Sequence, residues 1–433
     1  MARQLFGTDG VRGVAGEKLT AELALALGRA ATAQAGGQGS RALIIRDTRE
    51  SGEMLEAALA AGVAAAGGEA LLGGVLPTPA APLLIARYGF DLGVVVSASH
   101  NPYRDNGIKF FGSDSLKLSD ETEAEIEARL EEPVAPTAPG PVRELHGTQE
   151  DYLRSLEQRF AGLDLSGRRI LLDCANGAAY RVAPEIFRRL GADVSATGIE
   201  PDGRNINDGV GSTHVESLAA AVAAGGFDAG FAFDGDADRV LAADRNGVVV
   251  DGDELIALAA LHLREQDRLG GGVAVTVMTN YGFHTAMRDA GIEVAVTDVG
   301  DRYVLEELLR RGWNLGGEQS GHIIDTGFVP SGDGIASALL TLEALGESDL
   351  ADRSAMEKLP QRLVNVQVFD KEAALAAVQQ AAAEEGEALE GRGRVLVRAS
   401  GTEELVRVMV EAPGEEECEA ACGRLVAVVE GAS

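Results

Sequence analysis

The 433-residue chain carries 38 basic against 68 acidic residues, a formal charge of −30 at neutral pH, with 45% apolar and 24% charged residues. The composition is globular rather than disordered, and the length suits three or four domains better than one core. So acidic a chain argues against nucleic acid or an anionic membrane as partner, since both need a basic face.

An anionic substrate would therefore need positive charge gathered locally. Lysine is scarce, confined to Lys18, Lys109, Lys117, Lys358 and Lys371, and arginine supplies the rest. The three cysteines, Cys174, Cys418 and Cys422, are odd in number and suggest no disulfide framework. Cys418 and Cys422 lie four apart on one expected helix, where core packing is the plain reading. The first residues, MARQLFGTDG, lack the apolar stretch of a signal peptide, and no apolar run reaches membrane-span length. A cytoplasmic protein with reduced thiols is expected.

In chain order, strand-like runs alternate with Ala/Leu-rich helical stretches. RALIIRD (41–47), a helix through EMLEAALAAGVAAAG, EALLGGV, another helix and DLGVVVSAS form βαβ units, which imply a mainly parallel sheet with helices on its faces. PVAPTAPGP (133–141) reads as a linker. A helix, TQEDYLRSLEQRF, leads into a second cycle of RILLDCA, helix, ADVSATG, helix and AGFAFDG. A third begins near Gly252 with GVAVTVM, helix, IEVAVTD, helix and GHIID. After about Arg362 the order becomes β-α-β-β-α with adjacent antiparallel strands. The expected architecture is three similar α/β domains with mixed or parallel sheets (1–145, 146–251, 252–362) and a smaller C-terminal α+β domain (363–433) around a central cleft. Ligands of such sheets sit at the carboxyl ends of strands, which selects the loops after Val96, Phe233, Asn314 and Val397, one per domain.

FAFDGDADR places Asp234, Asp236 and Asp238 at alternate positions after a strand. In an extended turn they would project to one side, where three carboxylates suit a hard divalent cation. A calcium loop of the EF-hand type would need glycine and glutamate where Arg239 and Arg245 stand, so that reading fails. A solvated acidic turn is the bland alternative. In VVVSASHNPYRDNGIKFFG, Ser97 and Ser99 follow an apolar strand, and His100 and Lys109 lie close behind. No Gly-x-Ser-x-Gly elbow accompanies them, and phosphoryl transfer, which needs positioning and charge neutralisation, fits better than acyl transfer. Pro102 and Asn106-Gly107 equally mark ordinary turns. GGEQSGHII offers Glu318, Ser320 and His322 between glycines, suited to sugar hydroxyls or an amine, or else a polar hairpin tip. VRASGTEELVRVMV offers Arg398, Ser400, Gly401, Thr402 and Arg407 as a phosphate cradle, or a Ser-Gly turn with solvated arginines. No nucleotide loop of the G-x-x-x-x-G-K-[ST] kind occurs.

With SASHNP, DGDADR, GEQSGH and RASGTEELVRVM in this order over essentially the full length, the chain resembles the α-D-phosphohexomutases. FGTDGVRG (6–13), VGDRYVLE (299–306) and Gln319 resemble the members that act on glucosamine phosphates. The resemblance implies that Ser99 is the phosphoserine and Ser97 a support, a choice that spacing leaves open. It implies one Mg²⁺ per chain held by Asp234, Asp236, Asp238 and phospho-Ser99, with Arg239 supporting that region. Glu318, Ser320 and His322 would read the sugar. Arg398, Ser400, Gly401, Thr402 and Arg407 would hold the phosphate that is not transferred. Arg12, His100 and Lys109 are the candidates for proton transfer and charge stabilisation. Glucosamine 6-phosphate and 1-phosphate would interconvert through a 1,6-bisphosphate, and the C-terminal domain would swing near Pro360–Val364. A mutase for mannose or glucose phosphates and a metal-dependent sugar phosphatase are the rival readings. A homodimer through the first domain is the working expectation. The family's last loop usually has proline where Glu404 stands, which loosens the loop and sets a carboxylate near a phosphate.

Overall fold

The computed structural model describes residues 5–7, 9–130, 132, 138–400 and 404–432. The first segment holds β1 (Phe6–Gly7), β2 (Gly10–Val14), α1 (Ala21–Gln34), β3 (Arg41–Arg46), α2 (Ser51–Ala65), β4 (Glu69–Val75), α3 (Ala80–Tyr88), β5 (Leu92–Val96), β6 (Asp105–Gly112), α4 (Asp120–Arg129) and β7 (Val142–Glu144). Its strands form one sheet in the order β1-β2-β6-β5-β3-β4-β7. The β3, β4, β5 and β7 strands are parallel, as βαβ units require. The β6 strand runs antiparallel to both β5 and β2, so the sheet is mixed. All five residues of β5 are buried, which explains its unbroken apolar run. Asn106-Gly107 is not a turn: both lie inside β6, with Gly107 opposite Arg12. A Cβ on Gly107 would stand 2.3 Å from the Ser97 carbonyl oxygen, so this glycine serves close approach of two backbones. Of the proline-rich linker, residues 133–137 lie outside the described residues.

The second segment holds α5 (Thr148–Arg159), β8 (Arg169–Asp173), α6 (Ala179–Arg189), β9 (Asp193–Thr197), α7 (Val215–Gly225), β10 (Ala229–Phe233), β11 (Val240–Asp244) and β12 (Val249–Val250), with sheet order β12-β11-β10-β8-β9. The third holds α8 (Gly252–Glu265), β13 (Gly272–Thr276), α9 (Tyr281–Asp289), β14 (Glu293–Thr297), α10 (Asp301–Arg311), β15 (Leu315–Gly317), β16 (Ile323–Asp325) and α11 (Gly334–Leu345), with sheet order β14-β13-β15-β16. In both, a parallel core ends in an antiparallel strand, β10 with β11 and β15 with β16. The third functional loop thus follows Gly317 rather than Asn314. Polar caps start these helices. Asp251 and Glu254 form a reciprocal capping box at α8, and Asp333 accepts from the Ala336 amide at α11. Such caps are each worth roughly 1 kcal/mol.

The last segment holds β17 (Gln361–Gln367), α12 (Lys371–Ala388), β18 (Arg394–Ala399), β19 (Leu405–Glu411) and α13 (Glu415–Gly431), with an antiparallel sheet ordered β17-β19-β18. Cys418 and Cys422 pack in its core with Val408 and Val410.

The chain divides into two compact units: one formed by residues up to Val277 with Ala295–Arg353, the other by Met278–Val294 with the residues from Ser354 onward. Inside the second unit, buried Glu411 accepts from the Tyr281 amide at 3.0 Å, Gln361 Nε2 at 2.9 Å and Arg394 Nε at 2.6 Å. The Pro360–Val364 stretch lies within this unit, with Gln361–Val364 already paired to β19.

Candidate active site

Where β5 ends, Ser97 and Ser99 are both buried. Ser97 Oγ donates to Asp47 Oδ2 at 2.6 Å and accepts from the Ser99 amide at 3.0 Å. Ser99 sits at φ 51°, the left-handed region, at a cost of about 1–3 kcal/mol for a non-glycine residue. Its Oγ donates to Asp234 Oδ2, and His100 Nδ1 lies 3.5 Å away. The geometry thus separates two serines that spacing could not: one hydroxyl is committed to the loop, the other faces a carboxylate of the acidic trio.

Asp234, Asp236 and Asp238 converge, but not through extended alternation. They lie in a tight turn with Ala237 at φ 58° and its amide bonded to the Asp234 carbonyl. Each offers a carboxylate oxygen within 4.8 Å of the others. Burial, then Asp238 and Asp236, push the Asp234 carboxyl well above its ordinary range. Asp236 Oδ1 and Asp238 Oδ1 are buried without a hydrogen-bond partner among the described residues. Orphaned, crowded carboxylate oxygens are what a divalent cation satisfies, so these residues fit a metal site.

Lys109 is 1% exposed, and its Nζ stands 2.9 Å from Asp236 Oδ2, 3.0 Å from Asp9 Oδ2 and 3.5 Å from Asp238 Oδ2. Burial favours the neutral amine, but Asp236, Asp9 and Asp238 outweigh it and hold the ammonium well above its ordinary range. Thr78 Oγ1 also donates to Asp236 Oδ2, at 2.6 Å. His100 is pushed down by burial and by Arg239 and Arg12. Arg239 donates its amide to Asp234 Oδ1 at 3.1 Å.

Beside these residues opens a cleft of about 440 Å³ lined by Asp9, Arg12, Lys18, Asp238, Arg239, Gly300, Asp301, Glu318 and His322, among others. Arg12 pairs with Asp9. Glu318 Oε1 accepts from the Gly300 amide at 3.1 Å, and His322 lies 3.6 Å from both Asp238 and Asp301. Burial lowers the His322 pKa, but the two carboxylates raise it above the ordinary value. Ser320 is exposed at the turn between β15 and β16. Gln319, which marked the narrower resemblance, donates its side chain to Asp251 at 3.2 Å. One wall is an ion-pair network in which half-buried Lys117 bridges Asp9 at 2.6 Å and Asp301 at 2.5 Å.

The fourth loop lies in the second unit. Arg398 is the last but one residue of β18 and pairs directly with Arg407 on β19. Like charges opposite each other are destabilising, and Arg407 Nε is buried without a hydrogen-bond partner among the described residues. Both features suit an anion. The Ser400 amide donates to the Leu405 carbonyl at 2.9 Å; Gly401 and Thr402 lie outside the described residues. Glu404 does not stand as a bare carboxylate near this site, because Lys371 pairs with it at 3.3 Å.

Asp9, Asp47, Arg49, Thr78, Lys117, Asn207 and Asp301 also build the site and were not singled out from sequence. Lysine scarcity in an acidic chain was the available signal for Lys117. Asp9 lies in FGTDGVRG and Asp301 in VGDRYVLE, two stretches that carry the resemblance; Asp47, Arg49, Thr78 and Asn207 carry no signal, because they act through contacts distant in sequence.

Profiles of the phosphoglucomutase/phosphomannomutase family match in order: alpha/beta/alpha domain I at residues 3–135, domain II at 150–247, domain III at 251–363 and the C-terminal domain at 363–428. The chain is 52% identical over 445 residues to the phosphoglucosamine mutase of Moorella thermoacetica, covering 99% of both chains. It is 50% identical to that of Rubrobacter xylanophilus, covering 98% of this chain and 96% of the relative. A phosphoglucomutase/phosphomannomutase family protein from Burkholderia thailandensis superposes with a TM-score of 0.84 at 23% identity, covering 100% and 98%. The N-acetylphosphoglucosamine mutase of Aspergillus fumigatus, solved with GlcNAc-6P and magnesium, superposes with a TM-score of 0.70 at 18% identity, covering 99% and 96%. At such identities the two structures speak for the fold alone. On the four domain matches and the full-length identity to these relatives, the chain belongs to the phosphoglucomutase/phosphomannomutase family and, within it, to the phosphoglucosamine mutase branch.

Proposed function

We propose that the chain interconverts glucosamine 6-phosphate and glucosamine 1-phosphate by carrying a phosphoryl group on Ser99. The observation that carries this reading is the Ser99 hydroxyl, raised at a strand end and bonded to Asp234 of a buried carboxylate trio. Full-length relatives named phosphoglucosamine mutase support the choice of substrate.

In the first half-reaction the bond from phosphorus to Ser99 Oγ breaks as one forms to the free sugar hydroxyl, which loses its proton. The resulting 1,6-bisphosphate reorients and returns its other phosphoryl group to Ser99 Oγ. Lys109, held protonated, supplies charge rather than a base. His100, held neutral, is placed to take or return a proton at Nδ1. Arg12 lines the cleft as a further cation. Glu318, Ser320 and His322 read the sugar. Arg398, Ser400, Gly401, Thr402 and Arg407 hold the phosphate not in transfer. Asp234, Asp236 and Asp238, with phospho-Ser99, would hold one Mg²⁺, the ion named in the Aspergillus complex, which would supply charge withdrawal from the phosphoryl oxygens. The division at 145/146, 251/252 and 362/363 assigns one loop to each of four domains.

Intact mass of the full-length protein and of Ser99→Ala tests the reading, alongside turnover of amino-sugar and neutral-sugar phosphates. One phosphoryl increment, absent in the variant together with turnover, is expected. Net release of inorganic phosphate would favour a phosphatase, and faster turnover of glucose 1-phosphate a neutral-sugar mutase.

A further inference from the structure

Arg49 is fully buried, and its guanidinium is spent on one loop. Its Nη2 donates to the carbonyls of Ser99 and Asn101, both at 2.8 Å, and its Nη1 to those of Asp105 at 3.0 Å and Pro102 at 2.5 Å. Its Nε pairs with Asp47 Oδ2 at 2.8 Å, the same oxygen that takes the Ser97 hydroxyl at 2.6 Å. The Ser97 oxygen in turn accepts the Ser99 amide. One buried ion pair therefore reaches Ser99 from both sides: Asp47 through Ser97 to its N–H, and Arg49 directly to its C=O. Asn207 Nδ2 grips the same carbonyl at 3.0 Å.

Burying a charged pair is costly, and apolar side chains of similar volume usually stabilise as well or better. What apolar residues could not do is satisfy four converging carbonyls and hold a serine at positive φ. With amide and carbonyl both pinned, χ1 is the torsion left to place Oγ. A residue that gives a phosphoryl group and later takes one back must present the same oxygen in both half-reactions, so a misplaced loop slows both. We propose that the buried Asp47–Arg49 pair, with Asn207, is a positioning unit for the Ser99 oxygen, acting on turnover rather than on substrate binding. This rests on the phosphoserine reading above.

Arg49→Lys keeps the charge opposite Asp47, but one nitrogen cannot reach all four carbonyls. Asn207→Ala removes the second grip on the Ser99 carbonyl without disturbing a charge. For the full-length, Mg²⁺-supplied proteins, kcat and KM for glucosamine 6-phosphate, melting temperature and phosphoserine lifetime by intact mass are measured. A fall in kcat of about 100-fold in Arg49→Lys and about 10-fold in Asn207→Ala is expected, with KM within about twofold and a shorter-lived phosphoserine. Unchanged kcat in a folded variant, or a loss that merely follows the unfolded fraction, overturns the inference. If Arg49→Lys does not fold, Asn207→Ala decides. Turnover retained by Ser99→Ala overturns the phosphoserine reading and this inference with it. Turnover lost there but intact in the other two overturns the inference alone.

Discussion

Replacing Lys109 with methionine keeps the volume and removes the ammonium from among three carboxylates. Its nitrogen stands 2.9 Å from Asp236 and 3.0 Å from Asp9, and the side chain is 1% exposed. Removing one partner of a buried ion pair costs about 3–5 kcal/mol; here Asp9 keeps Lys117 and Arg12, while buried Asp236 loses its ammonium and keeps the Thr78 hydroxyl. The expected loss falls in that range when divalent cations are chelated. It should shrink in millimolar Mg²⁺, since a cation at the aspartate trio offsets some of the same negative charge. Trp313 is the chain's single tryptophan, lies buried in the same compact unit and gives the unfolding signal in urea. A loss below about 1 kcal/mol in chelator would refute the electrostatic reasoning. An identical loss with and without the cation would separate Lys109 from the metal site.

Asp333 is buried, and desolvation lifts its carboxyl to about 7 despite donation from the Ala336 amide and the Tyr152 hydroxyl. The folded state thus binds a proton that the unfolded state has released, so stability falls by up to about 4 kcal/mol as pH rises from about 4 to 7. Asp333→Asn should flatten the melting temperature across that window; parallel curves for the two proteins would count against it. A Cβ at Gly235 would meet the Ser99 carbonyl at 2.5 Å and Asn207 Nδ2 at 2.9 Å. Gly235→Ala should therefore lower kcat about 10- to 100-fold by moving the serine loop, and wild-type kinetics would show that the loop tolerates the shift. Arg407→Met should raise KM for the 6-phosphate and the 1-phosphate alike, by about 10-fold or more, if one cradle holds either end in turn. A rise for one substrate only would mean that the two phosphates have separate sites.

Much of the fold was legible because periodicity reports burial. The all-apolar β5 strand and the Ala/Leu helices around it announce a sheet covered on both faces, and the order β-α-β-β-α beyond Arg362 is the order that the fold adopts. Strand direction was less legible. Asn106-Gly107 has the chemistry of a turn, yet it lies in β6 because the backbone of Ser97 passes too close for any side chain. The aspartate trio is legible in its composition, but its route to convergence is not, since a left-handed Ala237 cannot be inferred from its identity. Ser97 and Ser99 were equivalent in spacing and differ in the structure by which carboxylate each hydroxyl meets. In sequence Lys109 is a candidate for proton transfer or for charge stabilisation. Only the arrival of Asp236, Asp9 and Asp238 around its nitrogen favours the ammonium form, against the burial that opposes it.

Local order determined the alternation of strands and helices, the caps that start them and the residue types available at each strand end. These follow from interactions within a few residues, where side-chain chemistry and backbone geometry are tied. Tertiary structure decided which of those residues meet: Asp47 with Ser97, Arg49 with Ser99, Lys117 with Asp9 and Asp301, and Glu404 with Lys371. Charge and hydrogen-bonding strength depend on distance and on exclusion of water, and neither quantity exists until segments far apart in the chain have packed together.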